Sequence, residues 1–262
     1  MDDSSIWLAL FLTTIAGLST GIGGLIAFGA KSTDERFLSF SLGLSAGVMV
    51  YVSFMEMMPM SVELLSKSYA SRMAELYMLL AFFAGIALIA IIDRLVPEDE
   101  NPHEMQGSGK SGKMPLKRTG VMMALAIGIH NFPEGLATFA SSMTQLDVAV
   151  PIVVAVAIHN IPEGIAVSVP IFHATGNKKK ALKYSFLSGL AEPVGGLVGF
   201  LLLMTFWTPT VNALLLAFVS GIMIYISFDE LLPGTERYGH HHCGIGGVVC
   251  GMAVMAANLL LL

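Results

Sequence analysis

Eight apolar stretches, each long enough to cross a lipid bilayer, follow one another along this chain of 262 residues. A membrane-spanning helix needs about 20 apolar residues, because the hydrocarbon core is about 30 Å thick. Only 13% of the residues are charged, whereas a soluble domain has about 25%. The sequence therefore predicts an all-α integral membrane protein with a single transmembrane domain over residues 1–262. The expected spans are 6–29, 37–62, 73–95, 119–142, 148–171, 182–206, 211–233 and 244–262.

The basic residues predict how the chain is oriented. All of the 14 Lys and Arg residues except Lys67 and Arg72 lie in or beside the loops that follow spans one, three, five and seven. Lys and Arg are enriched in cytoplasmic loops. These loops, including a polar loop at about 97–117, are therefore expected in the cytoplasm, and both termini are expected outside it.

One hexapeptide, His-Asn-x-Pro-Glu-Gly, occurs twice within the apolar spans. It begins at His130 and again at His159, 29 residues later. On a helix, its His and Glu lie on one face because they are four residues apart. A charged side chain at the centre of a membrane helix costs roughly 2.5–3.5 kcal/mol, so its presence needs a reason. Imidazole, amide and carboxylate groups together are typical ligands of divalent transition metals.

Both copies are expected near the middle of the membrane. Asn131 and Asn160 lie fourteen and thirteen residues from the external turn at 145–147, which is about 20 Å along a helix. Glu192 lies about ten residues into span six. Three carboxylates at one depth would repel each other, and a bound dication removes that repulsion. The predicted metal ligands are His130, Asn131, Glu134, His159, Asn160, Glu163 and Glu192.

Two interpretations of this cluster stay open. Glu134 and Glu163 could each bridge two ions, so a binuclear site is one hypothesis. Alternatively, each His-to-Glu pair could be an internal salt bridge that stabilises its own helix.

A second repeat links spans two and seven. Residues 47–59 and 221–233 match at seven of thirteen positions with an offset of 174. Spans two and seven run in opposite directions through the membrane, as do spans four and five. Inverted repeats around a site at mid-depth recur among transporters. Glu56 and Glu230 occupy matching positions in this repeat, where they could line the vestibules through which an ion arrives and leaves, or simply reach the interface.

Four features of the chain belong together: the paired hexapeptide, the Ala191-Glu192-Pro193 sequence, the Phe-x-Glu-x-x-Pro ends of spans two and seven, and the eight spans. In these features the chain resembles the ZIP metal transporters, in their bacterial ZupT-like branch. The resemblance covers essentially the whole chain. It implies a three-two-three helix arrangement with inverted repeats and a metal centre between helices four, five and six, formed by the seven ligands named above. It also implies that zinc, iron and related divalent cations, including manganese and cobalt, are imported across the bacterial inner membrane.

The same residues also fit two other functions. An intramembrane zinc hydrolase would hold zinc with His130, His159 and a Glu, and would use another Glu as general base. An exporter of the same ions would differ only in direction. We expect a transporter rather than an enzyme, with metal ions and lipid as partners, no catalytic cofactor and no nucleic acid.

Two further features are ambiguous at this level. The spacing of Gly17 and Gly21 is typical of closely packed membrane helices, either within the chain or in a homodimer. The run from His240 to His242 could bind the departing ion or could simply be solvated.

Overall fold

The architecture was analysed in a computed structural model that describes residues 3–29, 34–95, 128, 131–140, 142–143, 146–203, 206, 208–236 and 239–261. Every regular element within these ranges is helical, which confirms the all-α fold. The predicted loop at 97–117, the first part of span four at 119–127 and His130 lie outside the described residues.

Eight helices follow the predicted order. Seven of those in the described ranges, all except α4, are long and apolar enough to cross a membrane. The helices are α1 (Asp3–Gly29), α2 (Glu35–Ser66), α3 (Ser71–Leu95), α4 (residues 131–140), α5 (Leu146–Thr175), α6 (Lys178–Gly189 and Ala191–Leu203), α7 (Pro209–Glu236) and α8 (His241–Leu261).

Large apolar side chains cover the outside of the bundle. Trp7 on α1, Phe83 on α3 and Leu202 on α6 are 60–70% exposed. The predicted metal ligands, in contrast, are buried wherever the structure describes them. A protein in water rarely exposes so much apolar surface around a polar interior, so the packing agrees with an integral membrane protein.

α2 and α7 each contain one π-helical turn, Ser53–Met57 in the first and Ser227–Leu231 in the second. In both turns a backbone N–H reaches the carbonyl five residues earlier, from Met58 to Ser53 and from Leu232 to Ser227. The two turns are 174 residues apart, which is the offset of the sequence repeat. The repeat therefore extends to the backbone conformation.

A proline explains each π turn. Pro59 and Pro233 each lie two residues beyond the end of the turn, and a proline ring lacks the N–H of a helical residue and clashes with the carbonyl four residues earlier. The wider turn accommodates that ring. The expected spans end at residues 62 and 233, and the helices run three to four residues further, to Ser66 and Glu236.

The antiparallel crossing of α1 and α6 shows that the repeat is inverted. Each of Gly17 and Gly189 lies so close to the other's carbonyl oxygen that a Cβ on either would clash, and further along the crossing Gly21 meets Phe186. The helices themselves are repeats, because residues 17–28 and 189–200 match at six of twelve positions with an offset of 172. Two equivalent helices thus cross on the symmetry axis, antiparallel to each other.

The remaining contacts follow the same symmetry. α2 packs against α8 as α7 packs against α3, and α1 packs against α5 as α6 packs against α4. The glycines of α1 meet α5 and α6 of the same chain, so this small-residue surface is used within the chain.

Replacing Ser61 by Ala should measurably loosen the contact between α2 and α7. The buried Ser61 hydroxyl donates to the carbonyl of Ala213, 2.7 Å away. Hydrogen bonds between membrane helices contribute about 0.6–1.7 kcal/mol, so we expect the melting temperature in detergent to fall by about 2–6 °C. Ser66→Ala, at an exposed position of the same helix, is the control and should leave it unchanged.

Candidate metal centre

An imidazole and a carboxylate from the two hexapeptides meet between α4 and α5. Nε2 of His159 lies 3.1 Å from Oε1 and 3.2 Å from Oε2 of Glu134. The exposed fraction is 0% for His159 and 1% for Glu134. This bond joins the two copies of the motif across helices, so it is not the internal His-to-Glu bridge of a single helix.

A second polar pair joins α5 to α6. The amide nitrogen Nδ2 of Asn160 donates to Oε1 of Glu192 and also to the carbonyl of Ala16 on α1, 3.0 Å away. Asn131, the equivalent residue of the first hexapeptide, donates to the carbonyl of Ser188 on α6 at 3.5 Å. Ala16 and Ser188 are 172 residues apart, so the two contacts are symmetry equivalents.

These contacts orient the two asparagine side chains. Because each Nδ2 faces a backbone carbonyl, each Oδ1 points the other way, and within the described part of the chain neither Oδ1 of Asn131 nor Oδ1 of Asn160 has a hydrogen-bond partner. An amide oxygen left in this way is a good ligand for a divalent cation. Both asparagines are fully buried.

The glycine that ends each hexapeptide brings the helices close together. A Cβ on Gly135 would clash with the carbonyl of Glu192, and a Cβ on Gly164 would clash with the carbonyl of Thr20. Without a side chain at these positions, α4 can lie directly on α6 and α5 directly on α1. Glu134 and Glu163, one residue before these glycines, are therefore buried beside the close helix contacts.

α2 supports the centre from the opposite side. The hydroxyl of Ser45 donates to the backbone carbonyl of His159 at 3.3 Å. Ala155 of α5 belongs to a buried apolar cluster that also contains Met49 and Met223. The carboxylates of the centre therefore lie where water cannot screen them, and a cation would gain more from them than it would at a surface.

Six of the seven predicted ligands are described, and none is more than 1% exposed. They lie on α4, α5 and α6 as predicted. Among the residues that the structure describes, no three His, Cys, Asp or Glu side chains are close enough to enclose an ion unaided. An ion in this cluster would therefore also need the asparagine oxygens or His130, which lies outside the described ranges.

Comparison with known proteins agrees with this architecture. The family model described as "ZIP Zinc transporter" matches residues 2–93 and 96–259. The "Zinc transporter ZupT" of Streptococcus mutans is 56% identical over 258 residues, covering 98% of each chain. The protein of the same name from Nitratidesulfovibrio vulgaris is 53% identical over 274 residues, which cover 100% of this chain and 99% of the relative. The one from Clostridium perfringens is 51% identical over 276 residues, which cover 98% of this chain and 97% of the relative. The chain belongs to the ZIP zinc transporter family.

Membership of the ZIP family decides between the classes of protein considered above. The family and these relatives are transporters and not enzymes, which confirms the prediction that the chain is not an enzyme. The intramembrane hydrolase is therefore not supported.

Two other predicted positions lie away from the centre. Glu56 and Glu230 are half-buried and occupy the equivalent place in the π turns of α2 and α7. Their role as vestibule residues stays a prediction.

The run from His240 to His242 lies at the start of α8, at one end of the bundle. His240 lies 4.0 Å from Glu35 at the start of α2, and His241 pairs with Glu236 at the end of α7. Both pairs lie at the surface of the described chain, and a role of these histidines in binding the departing ion stays a prediction.

Thr20 is a polar residue, packed against Gly164 of the second hexapeptide, that the hexapeptides themselves do not reveal. It is fully buried on α1, and the α1–α6 repeat makes it the equivalent of Glu192. The signal was present in the sequence, because Gly17-Leu18 and Gly23-Gly24 recur as Gly189-Leu190 and Gly195-Gly196.

Proposed function

We propose that this ZIP family member imports zinc and related divalent transition-metal ions, namely iron, manganese and cobalt, into the cytoplasm of a bacterial cell. One observation carries the proposal: a buried set of imidazole, amide and carboxylate groups joins α4, α5 and α6 inside a bundle whose outer surface is apolar. The relatives named zinc transporters support zinc as the first ion to test.

The ligand chemistry supports transition metals over Ca²⁺ and Mg²⁺. Imidazole favours Zn²⁺, Fe²⁺, Co²⁺ and Mn²⁺, whereas Ca²⁺ and Mg²⁺ prefer all-oxygen sites. The ion would replace the His159–Glu134 and Asn160–Glu192 hydrogen bonds by bonds to the metal. Glu134 and Glu163 would bridge two metal positions, with the remaining ligands completing each one.

The orientation of the chain in the membrane is inferred from the charge distribution. Lys and Arg are concentrated in alternate loops, which favours a cytoplasmic position for those loops and an external position for both termini. Transport would proceed by opening the bundle alternately to each side of the bound ion.

Purified protein in vesicles loaded with a zinc-sensitive dye would test the proposal. We expect Zn²⁺ to enter at least about a hundredfold faster than Ca²⁺ at equal concentration, since the centre contains imidazole. Vesicles that contain Glu63→Gln protein, altered at an exposed residue, should match the unaltered protein. Zinc flux no greater than that of protein-free vesicles would contradict transport. Outward flux that exceeds inward flux under mirrored gradients would contradict import.

A further inference from the structure

Thr20 behaves differently from the other hydroxyl residues of its helix. Thr13 and Thr14 donate to the carbonyls four residues earlier, at 2.8 and 2.6 Å, as Ser and Thr in helices commonly do. The corresponding carbonyl for Thr20 belongs to Ala16, and it already accepts hydrogen bonds from Asn160 and Ser19. Within the described residues, the Thr20 hydroxyl has no hydrogen-bond partner although it is fully buried.

Packing against two other helices, α5 and α6, fixes the position of Thr20. Its carbonyl accepts a hydrogen bond of 2.7 Å from Ser185 on α6 and touches Gly164 on α5. Its Cβ lies 3.0 Å from the place that a Cβ on Gly189 would occupy. The side chain is thus directed into the contact between α1 and α6, beside the elements that hold Asn160 and Glu192.

The internal symmetry indicates what the Thr20 hydroxyl faces. Asn160 donates to Glu192. Asn131 is the equivalent of Asn160, and Thr20 is the equivalent of Glu192, so the symmetry places Thr20 opposite Asn131. Oδ1 of Asn131 and Oγ1 of Thr20 are both buried and have no hydrogen-bond partner in the described ranges.

We propose that Thr20 is a further ion-binding residue of the metal centre. Its hydroxyl would give the half of the centre that contains Asn131 a neutral oxygen, where the half that contains Asn160 has the carboxylate of Glu192. This proposal rests on the transport function proposed above. The exchange of a carboxylate for a hydroxyl makes the centre asymmetric in charge. The half with Thr20 therefore binds an ion less tightly and releases it more readily than the half with Glu192.

Three replacements of Thr20 separate this role from simple packing. Thr20→Val keeps the shape and removes the oxygen, so the KM for Zn²⁺ uptake should rise about tenfold, the effect of about 1.4 kcal/mol. Thr20→Asp restores a carboxylate, so both KM and the maximal rate should fall, because the ion is held more tightly. Thr20→Ser retains the hydroxyl and should bring KM back to within about threefold of the unaltered protein.

Thr13→Val is the matched control. Thr13 is equally buried on α1, and its hydroxyl bonds to its own helix, so this variant should keep the KM of the unaltered protein. A purely structural role of Thr20 would lower the maximal rate in both the Val and Asp variants and leave KM unchanged, and that result would overturn the proposal. If the unaltered protein and the Thr13→Val variant both fail to transport Zn²⁺, the proposed function itself is wrong. If Thr20→Val or Thr20→Asp does not accumulate as folded protein, Thr20→Ala takes its place: it also removes the oxygen, and a KM within threefold of the unaltered protein would contradict the neutral-oxygen role.

Discussion

Replacing Glu192 by Gln should lower zinc uptake at least about a hundredfold while the protein stays folded. Gln has the same shape, and its Oε1 can still accept the hydrogen bond from Asn160. The replacement removes one negative charge from a fully buried site, and loss of one partner from a buried charge pair costs about 3–5 kcal/mol. When the free energy of ion binding is weaker by this amount, the affinity for the ion falls at least about a hundredfold.

Uptake of Zn²⁺ into dye-loaded vesicles and the melting temperature in detergent should be measured on the same preparation of Glu192→Gln. Melting should stay the same or rise slightly, because Gln keeps the hydrogen bond from Asn160 and no longer has to hold a negative charge in a buried site. Glu63→Gln is the matched control, since Glu63 is exposed and its partner Lys67 lies at the surface, 3.5 Å away. Uptake by Glu192→Gln within threefold of the control would show that Glu192 is not a ligand.

Replacing Gly164 by Ala should strongly destabilise the protein. The new Cβ would meet the backbone carbonyl of Thr20, and a backbone atom cannot move aside as a flexible side chain can. Overpacking a core typically costs about 1–3 kcal/mol, and this contact lies at the upper end because two whole helices must separate. We expect the melting temperature in detergent to fall by about 6–12 °C.

Gly246 provides the comparison for Gly164. It also lies in a membrane helix, α8, but a Cβ there would have no described neighbour within 4 Å. Gly246→Ala should leave melting unchanged or raise it, because Ala favours the helix by up to about 1 kcal/mol over Gly. If the two substitutions shift the melting temperature equally, helix contact at Gly164 is not the cause.

The hexapeptides could be predicted from sequence because buried charge in a membrane is costly and therefore conspicuous. Glu134 and Glu163 stand out in apolar segments, and their spacing from His130 and His159 places them on one helix face. The observed partners were less predictable. The bond from His159 to Glu134 crosses between helices, whereas sequence spacing alone also fitted a bridge within each helix.

Features that depend on helix packing could not be predicted from the sequence. The Gly-Leu and Gly-Gly pairs of α1 fit ordinary helix packing, so their repetition in α6 attracts no attention until the two helices are seen to cross. Thr20 has no charge to mark it, and its importance appears only when its hydroxyl is found buried and unpartnered among the described residues. The π turns of α2 and α7 could not be predicted either, because a proline near the end of an apolar span also fits an ordinary helix end.

Those π turns also fix the exact number of residues in α2 and α7. A π turn contains one residue more than an α turn, so the segment beyond it is rotated by about 100° from the direction that a continuous α-helix would give it. Deleting a single residue from Ser53–Met57 would remove this rotation and turn Ser61 away from Ala213, its partner on α7. Insertions and deletions in these two helices should consequently be tolerated only in compensating pairs.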